Sequence, residues 1–271
     1  MVPNLQSEEW FWDYTRTNFQ SISLDYKRFQ SDSMLECYKL ERDELKKITP
    51  NLPITTNLMG FYKDLDYHKW AKEMDFVSWD NYPGHDAYPA QIAMSHDLIR
   101  GLKQGAPFWL MEQTPSVSNW HPYCALKRPN VMRLWSYQAV AHGSDTVMFF
   151  QMRRSIGACE KYHSAVIDHV GHENTRVFRE IMALGEELDK IGAQTLGATS
   201  KASVAIVFDW DNWWAAEYSA GPSMLINYHN EAEVQIEIPY KCEDIITNRI
   251  YKNAQSIKLE PKGVMILKKC E

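Results

Sequence analysis

The sequence predicts an α/β protein with a parallel sheet, followed by a small antiparallel β module. Between residues 54 and 191, short apolar runs alternate with helical segments, which is typical of β/α units. After about residue 200 the runs become shorter and alternate between apolar and polar residues, which favours antiparallel strands. These two observations define the expected fold class.

The first predicted element is a helix over residues 25–48, which ends before Pro50. Its apolar face is marked by residues near helical spacing, namely Met34, Cys37, Leu45 and Ile48. Four apolar runs of the buried-strand type follow, at residues 54–59, 76–79, 108–111 and 146–150. Helices are expected between and after these runs, at residues 66–73, 90–104 and 130–142 and in a long segment carrying Val177, Ile181, Leu184, Leu188 and Ile191.

The remainder of the chain predicts strands only. Residues 204–210 look like one more buried strand, and Gly221 and Pro222 interrupt the pattern. Alternating runs then predict antiparallel strands at 234–238, 257–259 and 263–267, with hairpin turns at 230–231 and 261–263.

Composition excludes several classes of protein. The length of 271 residues indicates about two domains, and 45% hydrophobic residues exclude a disordered chain. A formal net charge of −6 argues against nucleic-acid binding, and no apolar run is long enough to span a membrane. The first residues lack the basic and apolar regions of a signal peptide. Five scattered cysteines without a CxxC pair indicate reduced thiols, so we expect a cytoplasmic protein without a cofactor or metal site.

Polar residues stand where three predicted strands end: Asp80, Glu112 and Gln151. Chemistry in parallel α/β folds is located at the carboxyl ends of the strands, although a single polar residue there can simply form a turn or cap a helix. The glycine and serine motifs GxGxxG, GxxxxGK[ST] and GxSxG are absent from the sequence, so nucleotide loops and elbow-type serine hydrolysis have no support.

Two groups of residues could carry chemistry. Glu112 is followed by Trp120 and His121, and a carboxylate among aromatic rings suits nucleophilic or acid/base work on a neutral polar substrate. The second group surrounds Glu160 and His163, with His169 and His172 shortly after. It could bind a metal, hydrogen-bond sugar hydroxyls or consist only of surface and capping residues, and no HExxH motif supports the metal.

The order and content of these motifs resemble glycoside hydrolase family 42 β-galactosidases from about residue 24 to residue 223. The resemblance is carried by segments 75–83 (DFVSWDNYP), 108–116 (FWLMEQTPS), 119–120 (NW), 127–129 (KRP), 133–151, 157–163 (GACEKYH), 169–176 (HVGHENTR) and 208–214 (FDWDNWW). It implies a (β/α)₈ barrel and retaining hydrolysis of terminal β-D-galactosides. Glu112 would be the nucleophile and Trp120 would pack beside the sugar, while Glu160 and His163 would bind its hydroxyls and Asp80 would lie in the same pocket.

The sequence also departs from that family. Only the second half of the barrel is expected, in residues 1–200, and the Asn-Glu motif that holds the family's acid/base glutamate is absent. Residues 201–223 resemble only the start of the middle, trimerisation-type domain, and residues 224–271 resemble the small C-terminal β domain. Met152 stands where relatives commonly carry Trp.

These departures leave several hypotheses open. The chain could be half of an active β-galactosidase, with a separate N-terminal half-barrel chain supplying the acid/base. It could also self-associate through its unpaired strand edges. Alternatively it is a catalytically inactive remnant or a weak galactoside-binding protein. A further hypothesis, from a different class of enzyme, is a metal-dependent hydrolase that uses Glu160, His163, His169 and His172.

Overall fold

A computed structural model describes two compact units of the chain. One comprises Met1–Glu41, Lys63–Asp66 and Lys201–Glu271, and the other comprises Arg42–Tyr62 and Tyr67–Ser200. The residues that the structure describes are 20–202, 204–217, 234–237, 241–244, 249–252, 255–259 and 267–269. The candidate site lies in the second unit.

Four parallel strands form the sheet of the second unit, and they are ordered as they occur along the chain. They are β1 (Asn57–Leu58), β2 (Ser78–Asp80), β3 (Phe108–Glu112) and β4 (Ser144–Val147). The helices of this unit are α2 (Tyr67–Glu73), α3 (Pro89–Gly101), α4 (Val131–Ala141) and α5 (Arg176–Thr195). Each predicted apolar run overlaps one strand, so the expected alternation of strands and helices is confirmed.

The core of this unit contains aromatic rings from the sheet and from α3. Trp79, Phe108 and Leu110 are buried on β2 and β3, and Ile99 is buried on α3. The His96 ring on α3 lies 4.9 Å from the Trp79 ring and 5.6 Å from the Phe108 ring. Burial lowers the pKa of His96 to about 3, so this imidazole is neutral at physiological pH and packs as an aromatic residue.

Helix α5 follows its predicted pattern closely. The five positions of its apolar stripe are buried or half-buried: Val177, Ile181, Leu184, Leu188 and Ile191. At its start the Thr175 hydroxyl accepts a hydrogen bond from the Phe178 backbone nitrogen at 3.2 Å, which satisfies one of the free donors of the first turn. At its end Gly197 adopts a φ of 72°, the left-handed conformation that commonly terminates helices.

Helix α1 (Gln20–Ile48) forms where the sequence predicts a helix, but its apolar face does not pack as expected. The four residues that mark this face are all exposed: Met34, Cys37, Leu45 and Ile48. Ser31 and Leu35 are buried instead, and the Ser31 hydroxyl accepts a hydrogen bond from the Asp66 backbone nitrogen at 2.9 Å. Among the described residues, neither this helix nor a shorter one is long and apolar enough to cross a membrane.

In the first unit, polar contacts join α1 to the segments around residues 63–66 and 209–214. Lys27 pairs with Asp64, and Arg28 pairs with Asp211 at 3.0 Å. The Trp214 indole nitrogen donates to the Lys63 carbonyl oxygen at 2.6 Å. Trp214 is buried, as expected for a large ring whose single polar atom has a partner.

The buried strand predicted at residues 204–210 is wrong. Val204, Ile206 and Val207 are exposed, and no strand of the described sheets includes them. The Asp209 side chain accepts a hydrogen bond from the Asn212 backbone nitrogen at 2.7 Å, which caps α6 (Trp210–Glu217). This cap begins a helix at Trp210, within the residues expected to extend a strand.

The last described segments form two small antiparallel sheets, as the alternating pattern predicts. One pairs β5 (Val234–Glu237) with β8 (Ser256–Leu259). The other places β6 (Cys242–Asp244) between β7 (Arg249–Tyr251) and β9 (Leu267–Lys269). The turns predicted at 230–231 and 261–263, and most of the strand predicted at 263–267, lie outside the described residues.

Candidate active site

An irregularity in the sheet aligns two carboxylates. Trp79 of β2 pairs with Leu110 of β3, but the next residue, Asp80, pairs with Glu112, so Met111 is passed over. Such a bulge shifts the side chains that follow it. Asp80 and Glu112 therefore lie side by side at the carboxyl ends of adjacent strands, where the sequence predicted both.

Two hydrogen-bond donors hold the Glu112 carboxylate. The Tyr82 hydroxyl donates to Glu112 Oε2 at 2.7 Å. The Asn57 amide, on β1, donates to Asp80 Oδ2 at 2.6 Å and lies 3.4 Å from Glu112 Oε1. Sequence reasoning missed both donors, although Asn57 is a polar residue near the end of an apolar run and Tyr82 directly follows Asp80 and Asn81.

The environment of Asp80, beside Glu112, favours the protonated form of the Asp80 carboxyl. Burial, together with the neighbouring Glu112 charge, raises the pKa of Asp80 to about 7, while the Asn57 hydrogen bond acts in the opposite direction. Burial and the bond to Glu112 also raise the pKa of Tyr82 above its usual value, so its hydroxyl remains a donor. Asp80 Oδ1 is buried and has no hydrogen-bond partner among the described residues.

His163 is fully buried next to Asn57, Asp80, Tyr82 and Glu112, which are here called the Glu112 cluster. Its ring is 5.8 Å from the Tyr82 ring and 5.2 Å from the Phe150 ring, edge to face in both cases. Nδ1 donates to the Ser164 carbonyl oxygen at 2.9 Å. Burial lowers the pKa of His163, which favours the neutral ring with Nε2 as an acceptor. Within the described part of the chain, Nε2 has no hydrogen-bond partner.

Buried hydroxyls join the loop after β3 to the loop after β4. The Ser164 hydroxyl lies 2.7 Å from the Thr114 hydroxyl and accepts a hydrogen bond from the Ser116 backbone nitrogen at 2.8 Å. The Ser164 backbone nitrogen donates to the Val117 carbonyl oxygen at 2.9 Å. Because these groups are buried and paired, the two loops hold a defined arrangement.

The same loops carry Trp120 and Glu160. The Asn119 amide donates to the Cys159 carbonyl oxygen at 2.6 Å, which ties the residue before Trp120 to the residue before Glu160. The Trp120 ring is 53% exposed and lies 5.2 Å from the Tyr82 ring. Glu160 is half-buried, and its carbonyl oxygen accepts a hydrogen bond from the His163 backbone nitrogen at 2.9 Å.

A buried lysine supports the loop after β3. The Lys127 ammonium donates to the Thr114 carbonyl oxygen and lies 4.8 Å from the centre of the Trp135 ring. Burial lowers the pKa of Lys127 to about 7. The sequence suggested no special environment for this residue, because a lysine in a loop is usually exposed.

Other predicted polar residues lie outside the Glu112 cluster. The Gln151 side-chain oxygen accepts a hydrogen bond from Ser155, His169 Nε2 donates to the Ser155 carbonyl oxygen, and His172 Nδ1 accepts one from the Asn174 backbone. In the described ranges no three His, Cys, Asp or Glu side chains converge as metal ligands would. The hypothesis of a metal-dependent hydrolase therefore gains no support from the geometry of the described residues.

The arrangement suits chemistry on a neutral, polar substrate. Glu112 is a carboxylate oriented through both oxygens, and a second carboxyl with a raised pKa lies beside it. The exposed indole ring of Trp120 contacts Tyr82, which donates to Glu112. Oriented carboxylates can act as nucleophiles or as acid/base groups, and an indole offers a flat apolar face.

Comparison with known proteins also indicates an enzyme that acts on carbohydrates. Residues 3–191 match the model of the glycoside hydrolase family 42 described as β-galactosidase. β-Galactosidase BgaP of Planococcus sp. (strain L4) is 60% identical over 241 residues, which are 89% of this chain and 35% of that protein. β-Galactosidase LacZ of Lactobacillus acidophilus is 47% identical over 229 residues, which are 84% of this chain and 34% of that protein.

Solved structures of β-galactosidases also resemble this chain. The crystal structure of a β-galactosidase from Bacillus circulans sp. alkalophilus superposes with a TM-score of 0.74 and 68% sequence identity over 78% of this chain and 31% of that one. The chain thus spans about a third of the length of the relatives that it matches. Its four parallel β/α units are accordingly a partial (β/α)₈ barrel, as predicted. The chain belongs to the glycoside hydrolase family 42 β-galactosidases.

Proposed function

We propose that this chain supplies the nucleophile half of a retaining β-galactosidase that hydrolyses terminal β-D-galactosides, with Glu112 as the nucleophile. The observation that carries the proposal is the position of the Glu112 carboxylate, which has the Tyr82 and Asn57 donors on its two oxygens and stands at a strand end near the exposed Trp120 ring. The printed names of the relatives support the choice of substrate.

In the proposed reaction Glu112 attacks the anomeric carbon and forms a glycosyl-enzyme intermediate, which water then hydrolyses. Tyr82 and Asn57 orient the attacking oxygen. A second carboxyl must protonate the leaving oxygen and later activate the water. We assign that acid/base to residues outside this chain, because the Asn-Glu motif that holds it in the family is absent from the sequence. Asp80, which shares the Asn57 donor with Glu112, is assigned to sugar binding instead.

The sugar is proposed to bind between the strand ends and the two joined loops. Trp120 packs against the apolar face of galactose, since carbohydrate rings stack on indole. Asp80 and Glu160 accept hydrogen bonds from hydroxyl groups. His163 Nε2 is proposed to accept a further hydroxyl, and because the ring is fully buried against Tyr82 and Phe150, this contact requires one of those rings to move.

The proposal extends to domains and partners. Residues 1–200 form the barrel half, residues 201–223 correspond to the start of a middle domain, and residues 224–271 form a C-terminal β domain. A further half-barrel, carried by another polypeptide or by more of the same one, completes the site, and copies of the complete enzyme self-associate. The enzyme works in the cytoplasm, in carbohydrate metabolism.

The test is hydrolysis of a nitrophenyl β-galactoside by the purified chain, with and without azide. This leaving group needs little acid assistance, and azide can replace the water that lacks a general base in the second step. We expect slow turnover that azide stimulates and that Glu112→Gln abolishes.

Glu186→Gln is the matched control, because Glu186 is an exposed glutamate on α5 and should leave turnover unchanged. Thermal unfolding of both variants verifies the fold. Turnover by Glu112→Gln equal to that of the wild type would refute the assignment of the nucleophile. Absence of turnover in the folded wild-type chain under both conditions would mean that the chain alone is an inactive remnant, a galactoside-binding protein or one half of a complex, and coproduction with the further half-barrel would decide between these.

A further inference from the structure

Two pairs of aromatic rings connect the loop after β2 with the loop after β3. The Tyr82 and Trp120 rings, here called the inner ring pair, lie 5.2 Å apart at an interplanar angle of 69°. The His85 and Tyr123 rings, called the outer ring pair, lie 4.8 Å apart at 66°. Each member of the outer ring pair follows its inner counterpart by three residues, so the two loops run side by side across both pairs.

The inner ring pair is attached to the proposed nucleophile, because the Tyr82 hydroxyl donates to Glu112. Three residues of extended chain span at most about 10 Å, so the outer ring pair lies within that Cα–Cα distance of the inner one on each loop. This spacing is of the order of a disaccharide's length. A sugar held at Glu112 beside the inner ring pair, together with its substituent, is thus long enough to reach the outer ring pair.

Exposure increases along this path. Tyr82 is half-buried, Trp120 is 53% exposed and Tyr123 is 66% exposed. In an edge-to-face pair one ring presents its edge to the face of the other, so at least one ring keeps its faces free. His85 is exposed as well, and its Nδ1 lies 3.8 Å from a carboxylate oxygen of Asp86.

We propose that the outer ring pair is the binding site for the leaving group of the substrate, and that it prefers a neutral six-membered ring, either a second sugar or an aromatic aglycone. The inference rests on the proposed function and deepens it by assigning Tyr123 and His85 as the residues that select the leaving group. A ring of this kind stacks on the exposed Tyr123 face, and the polar atoms of His85 and Asp86 are available to hydroxyl groups at its edge.

The experiment compares two galactosides that the protein cannot readily hydrolyse, methyl thio-β-galactoside and phenyl thio-β-galactoside. Their affinities for the full chain are measured by NMR titration, which detects weak binding. We expect the phenyl compound to bind about threefold to tenfold more tightly than the methyl compound, the range that one aromatic pair contributes. Tyr123→Ala should reduce that ratio toward one and leave methyl thio-β-galactoside affinity unchanged.

Two further variants separate stacking from other roles of the tyrosine. Tyr123→Phe keeps the ring and should keep the affinity ratio. Tyr88→Ala is the matched control, because Tyr88 is a 76% exposed tyrosine that lies on the β2–α3 connection with His85 and belongs to neither ring pair. It should leave both affinities unchanged.

The outcomes are distinguishable. If Tyr123→Ala keeps the wild-type ratio, or weakens both galactosides equally, the leaving-group site is refuted while the proposed function stands. The equal loss would mean that the outer ring pair only holds the two loops together. If the folded wild-type chain binds the methyl and phenyl compounds equally, or binds neither, this inference is overturned, whereas the proposed function is decided by the turnover of the chain with its further half-barrel.

Discussion

Asp80 and Glu112 illustrate how a functional arrangement can oppose stability at the scale of single residues. Two carboxyl groups on adjacent parallel strands repel each other when both are ionised, and burial of Asp80 adds to the cost of its charge. The protein therefore holds Asp80 at a pKa of about 7, compared with 3.8 in a free side chain. The ionised Asp80 carboxyl destabilises the folded state. This cost is present at pH values above the pKa that Asp80 has in the unfolded chain.

Asp80→Asn is therefore expected to stabilise the protein, and more strongly at pH 8 than at pH 4.5. Near pH 8 the carboxyl is ionised in both states and the folded state bears the full cost. As the pH falls through 7 toward 3.8, Asp80 becomes protonated in the folded state first, and the cost decreases. We expect a gain of about 1–3 kcal/mol at pH 8, since partial exposure screens the charge. Urea unfolding at both pH values measures it.

Asp189→Asn provides the comparison, because Asp189 is exposed on α5. Its change in the free energy of unfolding should be small at both pH values. An Asp80→Asn variant that is equally stable at pH 4.5 and pH 8, relative to the wild type, would contradict the repulsion argued here.

The residues that the sequence could identify were those at strand ends. Asp80 and Glu112 follow apolar runs, and the rule that parallel strands carry chemistry at their carboxyl ends predicts that they meet. The sequence could not show that Met111 is passed over in the pairing, which sets their register. It could not reveal Asn57 and Tyr82 as donors either, because hydrogen bonds across 30 or more residues leave no periodic signal.

At the scale of secondary-structure elements, helix α5 shows when periodicity suffices. Its apolar stripe has five positions at helical spacing, and the structure buries or half-buries each of them. In α1 the apolar residues are sparse among charges, and the buried positions are set by contacts such as Ser31 with Asp66. In residues 204–210 the apolar run is strong, but the Asp209 cap begins a helix at its end. Local pattern alone could not weigh these contacts.

Leu184→Ala is expected to lower the free energy of unfolding by about 2–5 kcal/mol, because Leu184 is only 1% exposed at the centre of the α5 stripe. Met182→Ala is the matched control on the same helix. Met182 is 52% exposed, so its truncation should change stability by no more than about 0.5 kcal/mol. Guanidinium unfolding followed by circular dichroism compares them, and equal losses would show that α5 does not pack through this stripe.

At the scale of the whole molecule, the sheet of the second unit has two outer strands. Among the described strands, β1 pairs only with β2 and β4 pairs only with β3. Outer strands offer backbone donors and acceptors for further pairing. In a closed barrel these edges pair with other strands, which is how a further half-barrel would complete both the sheet and the proposed site.

We expect that coproduction with a polypeptide carrying the preceding four β/α units of a family 42 β-galactosidase raises turnover of nitrophenyl β-galactoside. Without azide the gain should be about 10²–10⁴-fold, because the added half supplies the general base that activates water in the second step. It should disappear when Glu112→Gln is introduced into this chain, with assembly retained by size-exclusion chromatography. A gain that survives Glu112→Gln would come from the added polypeptide alone and would contradict the division of catalytic residues proposed here.

The buried hydroxyl of Ser164 has a consequence for how the site opens. The Ser116 amide hydrogen bonds to that hydroxyl, and the Ser164 amide hydrogen bonds back to Val117. Neither hydrogen can exchange with solvent while the two loops remain together. Separation of the two loops would release both hydrogens at once, so we expect the Ser116 and Ser164 amides to exchange at similar rates in a hydrogen-exchange measurement.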